Sequence, residues 1–378
     1  MDVDTIIPAM IIEAGGGAMH IGIMTAIMMG GSSFSQLFFA PFINNVPFKK
    51  RCLLLGINLR IVSLFGLATV LYFILTQDHS NVLWIVFLFI SVFSLSGSFT
   101  AISYVDILGK SISQTKRKIF FSYRQIIGGV IVLLSAFLAK STLTRFNYPS
   151  NYAAMFLIGG TALLVASAGF WNIKETQSSG IKMFGVKDFL HRMLDEIKNN
   201  KKLIYFLGFI NTQGIVMSFI PFVILYAKKT FHTQGSDAGL FLLFKVLGVV
   251  AVSLLVLLIN KKIKYNILLY CNVFLSVLLV VSTMLINNVS ALKYIFILGG
   301  IILSIYTISM NGILLEISNK KNRVLYVGFA GAGNIIPAIF PLIAGGIINK
   351  LGYSIFFILF ILIVSFSFFF IYRLKCKK

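Results

Sequence analysis

Eleven separate stretches of this chain are each apolar for about 20 residues or more, and that repetition constrains the fold more than any other feature. They run approximately over 19–43, 52–76, 82–107, 119–140, 151–173, 203–227, 236–260, 266–286, 293–316, 324–349 and 353–372. A helix of about 20 apolar residues crosses the roughly 30 Å hydrocarbon core of a bilayer. Composition agrees: 58% of residues are hydrophobic and only 12% are charged, against about 25% charged in a soluble domain. Such a chain could not cover its surface with polar groups, so its solvent is lipid. The fold class that follows is an all-α polytopic membrane protein.

The net charge is +22, from 33 Lys and Arg against 11 Asp and Glu. Such an excess suits either phosphate neutralisation on nucleic acid or the basic inner loops of a membrane protein. Position decides between them. Loops at one end hold 25 of the 33 basic residues, including Lys49 to Arg51, Lys116 to Lys118, Lys174 to Lys202 and the C-terminal Arg373 to Lys378. The alternate loops hold only Lys140, Arg145, Lys228, Lys229, Lys293 and Lys350. A bias that alternates with every crossing is the positive-inside pattern. It predicts a cell-membrane protein with the C-terminus in the cytoplasm, and it accounts for the charge without nucleic acid.

The N-terminus differs from the rest. Ile6 to Ile12 is apolar, but Glu13 and Gly15-Gly16-Gly17 follow at once. Seven helical residues cover only about a third of the core, and Asp2 and Asp4 stand where a signal peptide carries positive charge. The stretch reads as the outer part of a first helix, whose inner part is missing from this chain or lost by a late start. The longest polar segment, 174–202, divides the chain into 1–173 and 203–378. Within it Val186, Phe189, Leu190, Met193, Leu194 and Ile197 follow helical spacing. That predicts an amphipathic helix, either on the membrane surface or packed on the loops. The halves echo each other. Ile112 to Arg117 and Ile317 to Arg323 are similar polar runs, each followed by an apolar triplet and a glycine cluster.

On these features the chain resembles the major facilitator superfamily along nearly its whole length. The stretch Lys116 to Gly129 resembles the family's entry into its fifth helix. Gly328 to Gly346, with Gly331, Gly333, Pro337, Pro341 and Gly345, resembles its eleventh. The resemblance implies two six-helix bundles, the first helix partial here, and solute transport by alternating access. The loop after the second helix departs from the family's pattern. Ala40 to Arg51 keeps basic residues, but the glycines and the acid are absent.

Lys245 is the sharpest candidate for function. It interrupts an apolar run about ten residues inside the membrane, where a lysine costs about 2.5–3.5 kcal/mol. It must face a wet path or pair with an acid. Arg60 lies about nine residues into its helix and poses the same question, with the option of reaching the interface along its stem. Asp106 and Glu316 end two helices on the basic side, near Arg117, Arg124 and Arg323, and read as gating salt bridges or solvated helix ends. Gln125, Asn211, Gln213, Asn311 and Asn334 are polar residues inside helices that line a cavity or bond helix to helix.

Enzyme chemistry finds no support. Gly109-Lys110-Ser111 imitates a phosphate-binding loop, but Tyr104 stands where its first glycine belongs. Cys52, Cys271 and Cys376 match no metal or redox spacing, and the four histidines are scattered. No cofactor is expected. The leading expectation is a secondary transporter, monomeric in the bilayer, moving a small solute with protons as the candidate coupling ion. Arg60, Arg124 and Lys245 lean it towards an anionic or carboxylate-bearing solute. The rival is a non-transporting protein of the same architecture, such as a receptor, a lipid-handling protein or an assembly partner.

Overall fold

A computed structural model describes residues 2–73, 79–111, 114–175, 185–259, 265–317 and 323–374. Fourteen helices occupy them. In the first half these are α1 (Ile6–Glu13), α2 (Ala18–Asn45), α3 (Lys50–Phe73), α4 (His79–Ser111), α5 (Gln114–Arg145) and α6 (Ser150–Trp171). A connecting helix follows, α7 (Val186–Asn199). The second half holds α8 (Lys201–Gln213), α9 (Phe219–Phe231), α10 (Gly235–Ile259), α11 (Tyr265–Leu285), α12 (Leu292–Ile317), α13 (Arg323–Ala332) and α14 (Ile335–Leu374). Among the described residues nine stretches are long and apolar enough to cross a membrane. The expected eleven are reached by adding the 28-residue α2 and by dividing Gly328–Leu374 at Gly352. There φ is 83°, a left-handed conformation that glycine adopts without a Cβ clash.

The two halves form two helical bundles. In the first, α3 packs on α4 and α6, and α2 packs on α4. In the second, α10 and α11 pack on α12, while α14 packs on α8 and α11. Lipid offers no hydrophobic drive between helices, so close packing and hydrogen bonds hold them. Aromatic rings supply much of that packing in the second bundle. Phe219 meets Phe360 at a centroid distance of 4.7 Å and Phe357 at 5.9 Å. The bundles meet where α2 lies along α14 and α5 along α10. A Cβ at Gly345 would lie 2.6 Å from the Ala18 carbonyl oxygen, and one at Gly22 would overlap the Pro341 carbonyl. Glycine on both sides brings these backbones together.

Two crossings of the second bundle are not continuous helices. Between α8 and α9 the chain tightens into a 3-10 turn at Gly214–Ser218, just ahead of Pro221, which has no N–H to continue the ladder. Between α13 and α14 the helix opens at Gly333 and Asn334. The two breaks are neighbours, since a Cβ at Gly214 would lie 2.6 Å from Pro337 Cγ and 3.3 Å from Asn334 Oδ1. The single helix expected over 324–349 is therefore interrupted.

Helix α7 has features of both expected placements. Met193 and Ile197 pack on the core, and Tyr326 of α13 donates its hydroxyl to Glu196 at 2.8 Å. Leu194 of the same helix is 53% exposed.

Candidate functional site

Lys245 sits in the third turn of α10 and is 4% exposed. Ten residues separate it from Gly235, so it lies about 15 Å along the helix axis. Its ammonium donates to Asp2 Oδ2 at 2.6 Å and to Asp4 Oδ2 at 3.0 Å. Both acids precede α1, which packs on α9, α10 and α2 with Ile6, Ile7, Met10 and Ile11 buried. The short first helix thus carries two carboxylates from the first bundle onto a lysine of the second.

The two acids are held differently. Asp2 Oδ1 accepts the Thr5 N–H at 2.7 Å, the Asp4 N–H at 3.2 Å and the Thr5 hydroxyl. This places a carboxylate at the N-terminus of α1, where the helix dipole favours it. Among the described residues the Asp4 carboxylate meets only Lys245. A small cavity of about 10 Å³ adjoins Asp4 and Lys245, walled by Val216 and Met217 of the 3-10 turn and by Gly299 and Leu303 of α12. It has room for about one water. With all three groups ionised the cluster carries one surplus negative charge.

Arg60 presents the opposite case. Its guanidinium stands over the Phe93 ring of α4, 4.8 Å from the centroid. Its Nε is buried without a hydrogen-bond partner. The remaining polar candidates divide between helix repair and open capacity. Asn211 donates to the Gly333 carbonyl at 2.7 Å and accepts the Ile336 N–H at 2.9 Å. It thereby satisfies backbone groups freed by the break between α13 and α14. Gln213 donates to Asn272 Oδ1 at 2.6 Å and Ser276 Oγ at 2.8 Å, and Asn272 donates on to the Ile302 carbonyl. Asn334 lies beside the same break with its Oδ1 buried and unpartnered. The side chains of Asp106, Arg117, Arg124, Gln125, Asn311, Glu316 and Arg323 lie outside the described residues.

At the end opposite the basic loops, Glu13 closes α1 against the second bundle. It shares a cavity of about 20 Å³ with Lys228, Gln234 and Gly235, and a Cβ at Gly235 would collide with its carboxylate. Burial, with the Glu13 charge adding, pushes the neighbouring Tyr148 hydroxyl up to about 12.

Sequence reasoning did not place Asp2, Asp4 or Glu13 at these positions. The available signal was two acids immediately before an apolar run, with a lone lysine stranded in another helix.

Comparison with known proteins bears on the family and the fold. The family model described as Major Facilitator Superfamily matches residues 1–298. No curated protein matches the sequence. Among solved structures, the nucleoside transporter NupG in a point-mutant form superposes with a TM-score of 0.70 at 12% identity, covering 98% of this chain and 94% of that one. A D-xylose-proton symporter gives 0.67 at 14% identity, with 99% and 95% covered. A POT family transporter bound to a thioalcohol-conjugated peptide gives 0.68 at 14% identity, with 96% and 89% covered. Likeness at such low identity speaks for the fold, and the family match spans most of the sequence, so the chain belongs to the Major Facilitator Superfamily of solute transporters.

Proposed function

We propose that this protein is a secondary active transporter in which Lys245, Asp2 and Asp4 couple solute movement to protons. The observation that carries the reading is the sharing of one ammonium by two carboxylates near mid-membrane. In a medium of low dielectric a surplus charge is costly, and a proton is the smallest species that removes it. Asp4, with Lys245 as its one described partner, is the member that takes the proton. The cluster joins α1 to α10 and so bridges the bundles. Changing its charge changes the strength of that bridge, which biases one bundle arrangement over another. The rocking units are 1–173 and 203–378, joined by 174–202. The end rich in basic loops faces the cytoplasm, where Asp106 and Glu316 with Arg117, Arg124 and Arg323 close the path.

The anionic lean rests on Arg60, because Lys245 is already more than neutralised by its two acids. A solute carboxylate would give the Arg60 Nε the partner it lacks. The working unit is a monomer.

The test is uptake of a solute panel into vesicles with and without an inward proton gradient. Uptake driven by the gradient in wild type, lost in Asp4→Asn while solute exchange persists, is the expected result. Gradient-independent uptake in wild type would sink the coupling assignment. Solute binding with no transfer across the vesicle wall would favour the receptor reading.

A further inference from the structure

The loop between α2 and α3 is where this chain departs from the family's sequence pattern, and its surroundings point to a different use. The backbone N–H of Lys50 donates to Glu175 Oε2 at 3.0 Å, and the Lys50 ammonium donates to the Trp171 carbonyl at 2.6 Å. These bonds fasten the end of α6 to the start of α3. Beside them lies a cavity of about 560 Å³, within the size range of small-molecule sites.

The cavity is two-faced. Val46, Pro47, Phe48 and Ile173 make an apolar side, and Arg51 and Lys174 make a cationic one. Arg51 and Lys174 are exposed, and neither has an ion-pair partner among the described residues. The acid lining the cavity, Glu175, is turned onto the Lys50 backbone. Phe48 is 51% and Trp171 58% exposed, and tryptophan settles at the headgroup level of a bilayer. Two uncommitted cations beside an apolar wall, at the basic end of a membrane protein, match a phosphate-bearing anion with a greasy neighbour.

We propose that Arg51 and Lys174 bind a phosphate group in this cavity, and that the apolar wall, which suits an acyl chain, makes the ligand an anionic phospholipid of the leaflet at the basic end. The walls come from the loop between α2 and α3, the start of α3 and the residues that follow α6, and none of them lines the Lys245 cluster, so the site stands apart from any coupling ion.

The full chain in detergent, titrated with phosphatidylglycerol or phosphatidylcholine and followed by native mass spectrometry, tests this. Wild type should retain phosphatidylglycerol in preference. Arg51→Gln with Lys174→Gln should weaken that retention about tenfold or more, from the loss of two surface cations, while Arg51→Lys keeps it. Lys187→Gln with Lys198→Gln, which removes the same charge from exposed positions of α7, should leave it unchanged. Excess inorganic phosphate separates the sources. Failure to displace the lipid identifies the headgroup as ligand, and displacement identifies a soluble phosphate in the same pocket. Equal retention by wild type and the Arg51/Lys174 variant, or equal loss in both double variants, would overturn the proposal.

Discussion

Lys245 and Arg60 are two cations set well inside apolar helices, and the structure treats them in opposite ways. Lys245 is almost fully buried and meets two carboxylates at 2.6 and 3.0 Å. Arg60 is half-buried, faces an aromatic ring and leaves Nε unpartnered. The surroundings differ too. Lys245 belongs to the bundle with two broken crossings, an amide network at Gln213 and Asn272, and a backbone clamp at Asn211. Near Arg60 the helices α3 and α4 run unbroken. Depth in the membrane sets what a charge costs, but the partner decides what it can do. A paired cation across the bundle interface can respond to a proton, and an unpaired one at a helix seam can only wait for an anion.

The largest effect should come from Lys245→Met. Removing the ammonium leaves two half-buried carboxylates facing each other without their cation, and breaking a fully buried pair, the upper bound here, costs about 3–5 kcal/mol. Folded protein in the membrane should fall sharply at neutral pH. Adding Asp2→Asn and Asp4→Asn should restore the amount without restoring gradient-driven uptake. Restored uptake in the triple variant would reduce the cluster to a structural tie.

The polar clamp is the next point of strain. Asn211→Leu would free the Gly333 carbonyl and the Ile336 N–H in an apolar setting. Losing partners for such groups costs about 1–3 kcal/mol each. We expect a clearly lower unfolding temperature in detergent, read from the fluorescence of Trp84 and Trp171. An unchanged temperature would mean that water, not Asn211, satisfies the break.

The crossings and the amphipathic helix were legible in the sequence because each is a pattern within a window of some 20 residues. Lys245 was legible as an anomaly for the same reason. Its partners were not, since Asp2 and Asp4 lie 243 and 241 positions away and no local pattern joins them. The break at Gly333 and Asn334 was hidden for a related cause. The apolar run continues through it, and the asparagine that closes it sits 122 residues upstream. Asn211 and Gln213 could be recognised as polar groups in apolar helices, but only packing assigns one to backbone repair and the other to a network with Asn272 and Ser276.

A smaller effect is expected at the other cation. Phe93→Leu keeps an apolar side chain but removes the ring under Arg60. Cation–π contacts contribute about 0.5–2 kcal/mol, so a modest drop in unfolding temperature should appear in wild type and vanish when Arg60 is already methionine. A drop of equal size in both backgrounds would assign the loss to packing alone.

Arg60→Met should change stability least of all. The substitution gives up the contact with Phe93 but also relieves the burial of an unpartnered Nε, two terms of similar size and opposite sign. Unfolding temperature should therefore stay close to wild type, in contrast to Lys245→Met. Function should separate from stability here. If the solute is anionic, this variant reaches the membrane in normal amount and loses uptake through a raised KM, while its response to the proton gradient survives. Arg60→Lys should recover part of the affinity, because an ammonium keeps the charge but not the planar fork. Unchanged KM in Arg60→Met would remove the last support for an anionic solute and leave Arg60 as a residue held by its ring contact.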